Sequence, residues 1–143
     1  MGNENLIEYQ IERQRVSDFL SRTEKIITPY IHLNKPNDID GEPQQYCSKE
    51  LWKRVKKFVT RISKRYFEIF EDSIDLPDIN VDLGTIALHW DKQRYEILVN
   101  TGNEQFATFY GDTKNITPVS LKGEIDMESS DFALIVYYLE NSV

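Results

Sequence analysis

The sequence predicts an α+β protein with two N-terminal amphipathic helices, a three- to four-stranded antiparallel meander and a C-terminal helix. Apolar residues recur with the helical period up to residue 71, and with the two-residue alternation of strands after residue 76. The 143 residues fit one domain, with a helical part (1–71), a sheet (76–123) and a terminal helix (130–141).

The first helix is predicted over residues 4–27, because apolar residues there can share one face. Pro29 predicts that this helix ends near Thr28. Residues 30–47 are rich in turn-forming residues and form the longest irregular segment, which is a binding loop, a partly disordered segment or an ordered crossover between helices. The residues assigned to the inward face of the first helix are Ile7, Ile11, Phe19, Leu20, Ile26 and Ile27.

The second helix is predicted over residues 48–71, with Ser48 as its N-cap. Its inward face combines Leu51, Val55, Phe58, Ile62 and Ile69 with Trp52, Val59, Tyr66 and Phe70. Its outer surface carries 8 of the 17 basic residues of the chain, with Glu50 as the single acid between them. These basic residues are Lys49, Lys53, Arg54, Lys56, Lys57, Arg61, Lys64 and Arg65.

Three short strands are predicted next, over residues 84–90, 95–101 and 105–111, and the short polar connections between them favour a meander. A fourth strand is predicted over 116–123, where Pro118 indicates an edge position. A last helix is predicted over 131–140, capped by Ser129 or Ser130. The alternating sets are Ile86, Leu88 and Trp90; Tyr95, Ile97 and Val99; and Phe106, Thr108 and Tyr110, with Ala107 and Phe109 behind.

The charge of the chain is divided along its length. Residues 1–70 hold 13 Lys and Arg against 10 Asp and Glu, whereas residues 71–143 hold 4 against 14, so the halves carry +3 and −10. The net charge of −7 argues against free, non-specific nucleic-acid binding, which depends on neutralising phosphates. The repulsion among the basic residues of the second helix predicts an acidic neighbour: the acidic half of the chain, a second copy, a partner protein or a nucleic acid.

The remaining composition predicts a cytoplasmic protein that does not enter a membrane. No apolar run approaches the roughly 20 residues that span a bilayer, and the N-terminus lacks the pattern of a secretory signal. Cys47 is the single cysteine, so an internal disulfide is impossible.

A set of residues in the predicted meander resembles a family pattern. Leu76, Pro77 and Gly84, followed by Ile86, Leu88 and Trp90, are similar to a loose group of small bacterial proteins with LP and then G-x-I-x-L-x-W. The similarity covers about residues 50–111. These proteins accompany toxin–antitoxin, CRISPR or other defence genes, so the resemblance implies an accessory or regulatory role. Many of them have Asp before the glycine, where this chain has Leu83, and no functional residue is transferred.

Enzymatic interpretations rest on few residues. Asp78, Asp112 and Lys114 supply the letters of a divalent-metal nuclease, in which two carboxylates hold Mg²⁺ and a lysine helps to activate water. His32 and His89 are the only histidines, and with one cysteine they give no zinc ligand set at a recognisable spacing. We therefore expect no catalytic residue, no metal site and no cofactor.

The leading hypothesis is a non-enzymatic accessory protein that binds a partner protein and self-associates as a homodimer. The partner would be a nucleic-acid-handling effector of a bacterial defence or toxin–antitoxin system, so nucleic acid would be met only through it. The eight basic residues of the second helix are the predicted contact surface. One alternative is an immunity protein, antitoxin or nucleic-acid mimic that inhibits an enzyme with its acidic half, and another is the metal-dependent nuclease.

Overall fold

The computed structural model of the chain describes residues 3–32, 34–35, 44–45, 47–82 and 84–142. It confirms the α+β class, with helices before and after an antiparallel sheet that has five strands rather than three or four. The elements in chain order are α1 (Asn3–His32), β1 (Asn34–Lys35), β2 (Gln44–Gln45), α2 (Lys49–Phe70), β3 (Asp78–Asp82), β4 (Thr85–Asp91), β5 (Tyr95–Thr101), β6 (Phe106–Thr113), β7 (Ser120–Asp126) and α3 (Phe132–Glu140).

The helix α1 continues through Pro29 to His32, so the predicted end near Thr28 is wrong. A proline in a helix removes one backbone hydrogen bond, and here only the final turn follows it. Ile27 is buried and Ile31 packs against the core, which holds that final turn in place. The rest of the predicted irregular segment 30–47 lies mostly outside the described residues, apart from β1 and β2, which pair antiparallel.

The buried face of α1 differs from the predicted one. Ile7, Ile11 and Ile26 are all more than half exposed. The side chains that α1 buries include two polar ones and follow the spacing of a single helical stripe: Glu12, Val16, Leu20, Thr23 and Ile27. Leu20 and Ile27 are buried as predicted and Phe19 packs against the core, but apolar periodicity misses Glu12 and Thr23, which occupy positions where an apolar residue is expected.

The helix α2 agrees with its prediction at both ends. The Oγ of Ser48 accepts a hydrogen bond from the Leu51 N–H at 3.0 Å, which caps the helix. At the other end Glu71 adopts a left-handed conformation and its N–H donates to the Phe67 carbonyl. The inward face is as predicted except at Ile69, which is exposed, while Phe67 is buried against Tyr9 of α1.

The five-stranded sheet is an antiparallel meander in the order β3-β4-β5-β6-β7. The strand β3 was not predicted, because Pro77 and the aspartates around it indicate a turn and only Ile79 and Val81 pack against the core. The predicted edge strand is β7, shifted to Ser120–Asp126 so that Pro118 precedes it.

One face of the sheet packs against α2 and α3, and the other faces solvent. Ile86, Leu88 and Trp90 of β4 point to the packed face as predicted, and so do Tyr95, Ile97 and Val99 of β5. On β6 the assignment reverses, because Ala107 and Phe109 are buried whereas Phe106 and Tyr110 are exposed. The apolar pattern does not predict the buried side of β6, because a small residue, Ala107, holds a core position in a strand that is rich in aromatic residues.

The core is centred on Phe132 at the start of α3. Its ring lies 5.8 Å from that of Phe58, 5.9 Å from that of Trp90 and 5.5 Å from that of Phe109, so one side chain joins α2 to two strands. Asp131 is the residue before this helix, and neither predicted serine caps it, since the Oγ of Ser129 instead accepts from the Asp131 N–H.

The segment between α2 and β3 is held by side chains from the sheet and from α1. The Trp90 Nε1–H donates to the carbonyl of Asp75 at 2.8 Å, and the Tyr95 hydroxyl donates to the Asp75 carboxylate at 2.8 Å. Buried Glu12 accepts from Arg15 and from the Ser73 hydroxyl, so α1 is tied to the same segment. No helix in the described ranges is long and apolar enough to cross a membrane.

Candidate partner-binding surface

Four lysines of α2 form one exposed stripe, the lysine crest: Lys49, Lys53, Lys57 and Lys64. Their spacing of four, four and seven residues places them along one side of the helix, opposite the buried stripe. The crest spans about 22 Å at 1.5 Å per residue. None of the four is buried, because the packed face of α2 is turned toward the sheet and α1.

The four other basic residues of α2 flank the crest. Arg54 donates to the Glu104 carbonyl at 2.6 Å and Arg61 donates to the Met127 carbonyl at 2.5 Å. Lys56 pairs with Glu24 of α1 at 2.7 Å, and Arg65 is exposed. Both arginine contacts end on neutral carbonyl groups, so they fix the guanidinium groups without cancelling their charge.

The acidic half of the chain approaches one flank of α2, where the charge of Arg61 acts on Asp126 and Glu128 lines a pocket with Lys53 and Lys57. Among the described residues, the lysines of α2 that form ion pairs do so with helical residues: Lys56 pairs with Glu24 of α1, and Lys64 lies 3.8 Å from Glu68 of the same helix. Within the same ranges Lys49, Lys53 and Lys57 make no hydrogen bond or ion pair. The positive charge of Lys49, Lys53 and Lys57 is therefore available to a second molecule.

A groove of about 670 Å³ lies beside the crest, between α1 and α2. Val16 and Leu20 are the buried apolar residues of its lining. Four small hydroxyl-bearing side chains line it, and its basic side chains outnumber its acidic ones. The hydroxyl-bearing residues are Ser17, Ser21, Thr60 and Ser63, and the basic ones are Arg13, Lys56, Lys57, Arg61 and Lys64.

Glu24 holds the wall of this groove in place. One carboxylate oxygen accepts from the Trp52 Nε1–H at 3.0 Å and from the Lys56 Nζ at 2.7 Å. The Lys56 ammonium also lies 5.7 Å from the Trp52 ring centroid. The hydrogen bonds from Lys56 and then from Trp52 lower the pKa of Glu24, so this carboxylate stays ionised below its usual range. Sequence spacing does not predict this contact, because Trp52 and Lys56 lie 28 and 32 positions from Glu24.

The solvent-facing side of the sheet carries many of the carboxylates. Asp91, Glu96 and Asp112 are register partners on β4, β5 and β6, and Asp78 of β3 pairs with His89 of β4. Glu124 and Asp126 extend this surface onto β7. The two charged regions of the chain are therefore on different elements, α2 and the open face of the sheet.

The three nuclease candidates do not come together. Asp78 lies on β3 and Asp112 on β6, three strands away, which is about 14 Å at the usual strand spacing. Lys114 pairs with Asp91 at 2.6 Å, and Asp112 accepts from the Ser120 hydroxyl. Two carboxylates at this separation cannot share one Mg²⁺ ion.

Cys47 and His89 lie on different sides of the sheet, so they do not form a thiol–imidazole pair. Cys47 is fully buried beside α2, where burial raises the pKa of its thiol and disfavours the reactive thiolate. His89 lies on the open face of the sheet, with its Nε2 3.0 Å from Glu96. The side chain of His32 lies outside the described part of the structure.

Comparison with protein-family models, with curated proteins and with solved structures found no match for this chain.

Proposed function

We propose that this chain is a non-enzymatic protein that binds the acidic surface of another protein through the lysine crest and the adjoining groove. The observation that carries the proposal is that Lys49, Lys53 and Lys57 form no ion pair or hydrogen bond within the described residues, although the chain as a whole is acidic. A charged surface that its own chain does not neutralise is available for a partner of opposite charge.

The crest has a cost within the chain itself. Lys49, Lys53 and Lys57 follow one another at four-residue spacing, where like charges destabilise a helix. A mixed surface of lysines and glutamates would avoid this cost, so the arrangement favours a role outside folding. Long-range attraction would orient the partner before contact, and the apolar floor of the groove would add affinity.

A protein partner is favoured over a nucleic acid by the rest of the surface. The net charge is −7 and the open face of the sheet is lined by carboxylates, which repel phosphates. A protein can place its acidic residues on the crest alone and present neutral or basic residues to the other surfaces. The resemblance in the meander supports an accessory role beside a defence-type effector that itself handles nucleic acid.

A second copy of the chain also satisfies the charge requirement. The crest of one copy and the open sheet face of another have opposite charges, and two such contacts related by a two-fold axis would form a closed homodimer. Sedimentation velocity tests this part directly. The dimer is expected to weaken as salt is raised, because exposed charges are screened; a monomer at every concentration and salt level would exclude it.

The experiment for the main proposal compares two triple variants in pull-downs from nuclease-treated host lysate. K53E/K57E/K64E reverses the crest, and K25E/K92E/K122E makes the same change in net charge elsewhere on the surface. Lys56 is left in place because it is paired with Glu24. A partner retained by the wild type and the control but lost by the crest variant supports the proposal. Equal retention by both variants would rule it out.

A second candidate function uses the acidic surface as an inhibitor of a basic active site. The adjacent carboxylates of Asp91, Glu96 and Asp112 favour it. It predicts that E96Q/D112N/E124Q abolishes partner binding while K53E/K57E/K64E leaves it intact, the reverse of the first proposal.

A further inference from the structure

Three potential metal ligands meet on the open face of the sheet, near the turn between β4 and β5. His89 and Asp91 are two residues apart on β4, so both side chains leave the same face. Glu96 on β5 is the register partner of Asp91. One donor atom from each of the three residues lies within 4.8 Å of the other two.

We propose that His89, Asp91 and Glu96 form a binding site for a first-row divalent transition-metal ion such as Zn²⁺. An imidazole with two carboxylates is a donor set that suits such ions. The Nε2 of His89 lies 3.0 Å from the Oε2 of Glu96, close to the separation of about 3.3 Å between two ligands of one tetrahedral ion. Small rotations of these partly exposed side chains would bring the third donor into range.

The donors are positioned without a metal. The His89–Glu96 contact holds two of them, and Lys114 holds the third by donating to Oδ1 of Asp91 at 2.6 Å. A carboxylate has two oxygens, so Lys114 and an ion can share Asp91, with the lysine fixing its orientation. Both strands that carry the site are interior to the sheet, which keeps the backbone beneath it rigid.

The surroundings favour a cation. Asp78 is the register partner of His89, and Asp112 is the register partner of Glu96. Two further carboxylates therefore flank the site on its neighbouring strands, and together with Asp91 and Glu96 they outnumber the ammonium groups of Lys92 and Lys114, which also act on Asp91. Three protein ligands leave at least one coordination position for water or for a donor from a bound protein.

Isothermal titration of tag-free protein with ZnCl₂ tests the site. The wild type is expected to bind one ion, and H89Q and E96Q are each expected to weaken binding at least tenfold. H32Q is the matched control for H89Q because these are the only two histidines of the chain. E124Q is the control for E96Q, since Glu124 is exposed on the same sheet face. Both controls should bind as the wild type does.

Two results would overturn the proposal: no Zn²⁺ binding by the wild type, or equal binding by H89Q and the wild type. Far-UV circular dichroism without metal verifies that each variant is folded, and D91N replaces any variant that is not. A second measurement uses Co²⁺, whose visible absorption reports its coordination. Intense bands that are present in the wild type and H32Q but absent in H89Q support the site, and bands unchanged in H89Q contradict it.

Discussion

Gly111 of β6 lies directly beneath Leu139 of α3. A Cβ atom at residue 111 would be 2.5 Å from Cδ1 of Leu139, which is itself fully buried. The close approach of this helix to the sheet therefore requires that residue 111 has no side chain.

The variant G111A is expected to be less stable than the wild type by about 1–3 kcal/mol, because the added methyl group overpacks the contact with Leu139. Shortening the opposing side chain in G111A/L139V should recover part of this loss. Urea unfolding measures the stability of G111A and of G111A/L139V. The control is G102A, where a new Cβ meets no atom within 4 Å. If G102A lost as much stability as G111A, the contact with Leu139 could not be the cause of the loss in G111A.

Buried Glu12 links α1 to the segment that follows α2. It is 4% exposed and accepts from Arg15 and from the Ser73 hydroxyl. We expect E12A to destabilise the protein by about 1–3 kcal/mol, because it leaves these donors without their acceptor. The exposed Glu8, one turn earlier on the same helix, provides the control E8A, whose urea midpoint should stay near that of the wild type. Equal effects of the two variants would show that burial of Glu12 contributes nothing.

Reversing one charge of the lysine crest should stabilise the protein while it weakens partner binding. In K53E the new carboxylate lies four residues from both Lys49 and Lys57, so two repulsions become attractions of about 0.2–0.5 kcal/mol each, against one new repulsion from Glu50, three residues away. Thermal unfolding at low salt should show a higher melting temperature, and the gain should shrink as salt screens the charges. A lower melting temperature at low salt would mean that Lys53 has a structural role.

The hydroxyls of Tyr66 and Tyr95 are expected to remain protonated where exposed tyrosines ionise. Burial is the main cause that raises both pKa values, and each hydroxyl also donates to a carboxylate, Glu140 and Asp75 respectively. Because each folded-state pKa exceeds the unfolded one, the stabilising contribution is complete below about pH 10 and is lost as the pH rises further.

The absorbance of tyrosinate during an alkaline titration checks this prediction. Fewer than the eight tyrosines should ionise while circular dichroism still shows folded protein. Y95F should reduce by one the number of tyrosines that ionise only on unfolding, and it should leave unchanged the number that ionise in the folded protein. Ionisation of all eight in one step before unfolding would contradict it.

The sequence predicts α2 and two of the three inner strands, β4 and β5, closely, because each buries a complete apolar pattern. The prediction from sequence fails where a buried position holds a polar residue, such as Glu12, or a small residue, such as Ala107 on β6. The strand β3 escapes prediction because its pairing with β4, rather than its own composition, makes it a strand.

The two candidate sites differ in how far the sequence reveals them. The sequence predicts the lysine crest, because helical spacing alone places its four residues on one side of α2. What the sequence could not show is that the acidic half leaves them unpaired, since this depends on the packing of α2. His89, Asp91 and Glu96 meet through cross-strand register, and the signal for them is H-x-D, a short turn and then E, which becomes informative only once the hairpin is assigned.

The burial of Cys47 gives this chain an intrinsic reporter of local opening. The chain's one thiol is fully covered in the folded state, so a water-soluble thiol reagent can reach it only when the start of α2 separates from its neighbours. The labelling rate therefore measures how often that end of the helix opens, without any introduced probe. Because the same helix bears the crest, repeating the measurement with a bound partner would reveal whether docking restrains it.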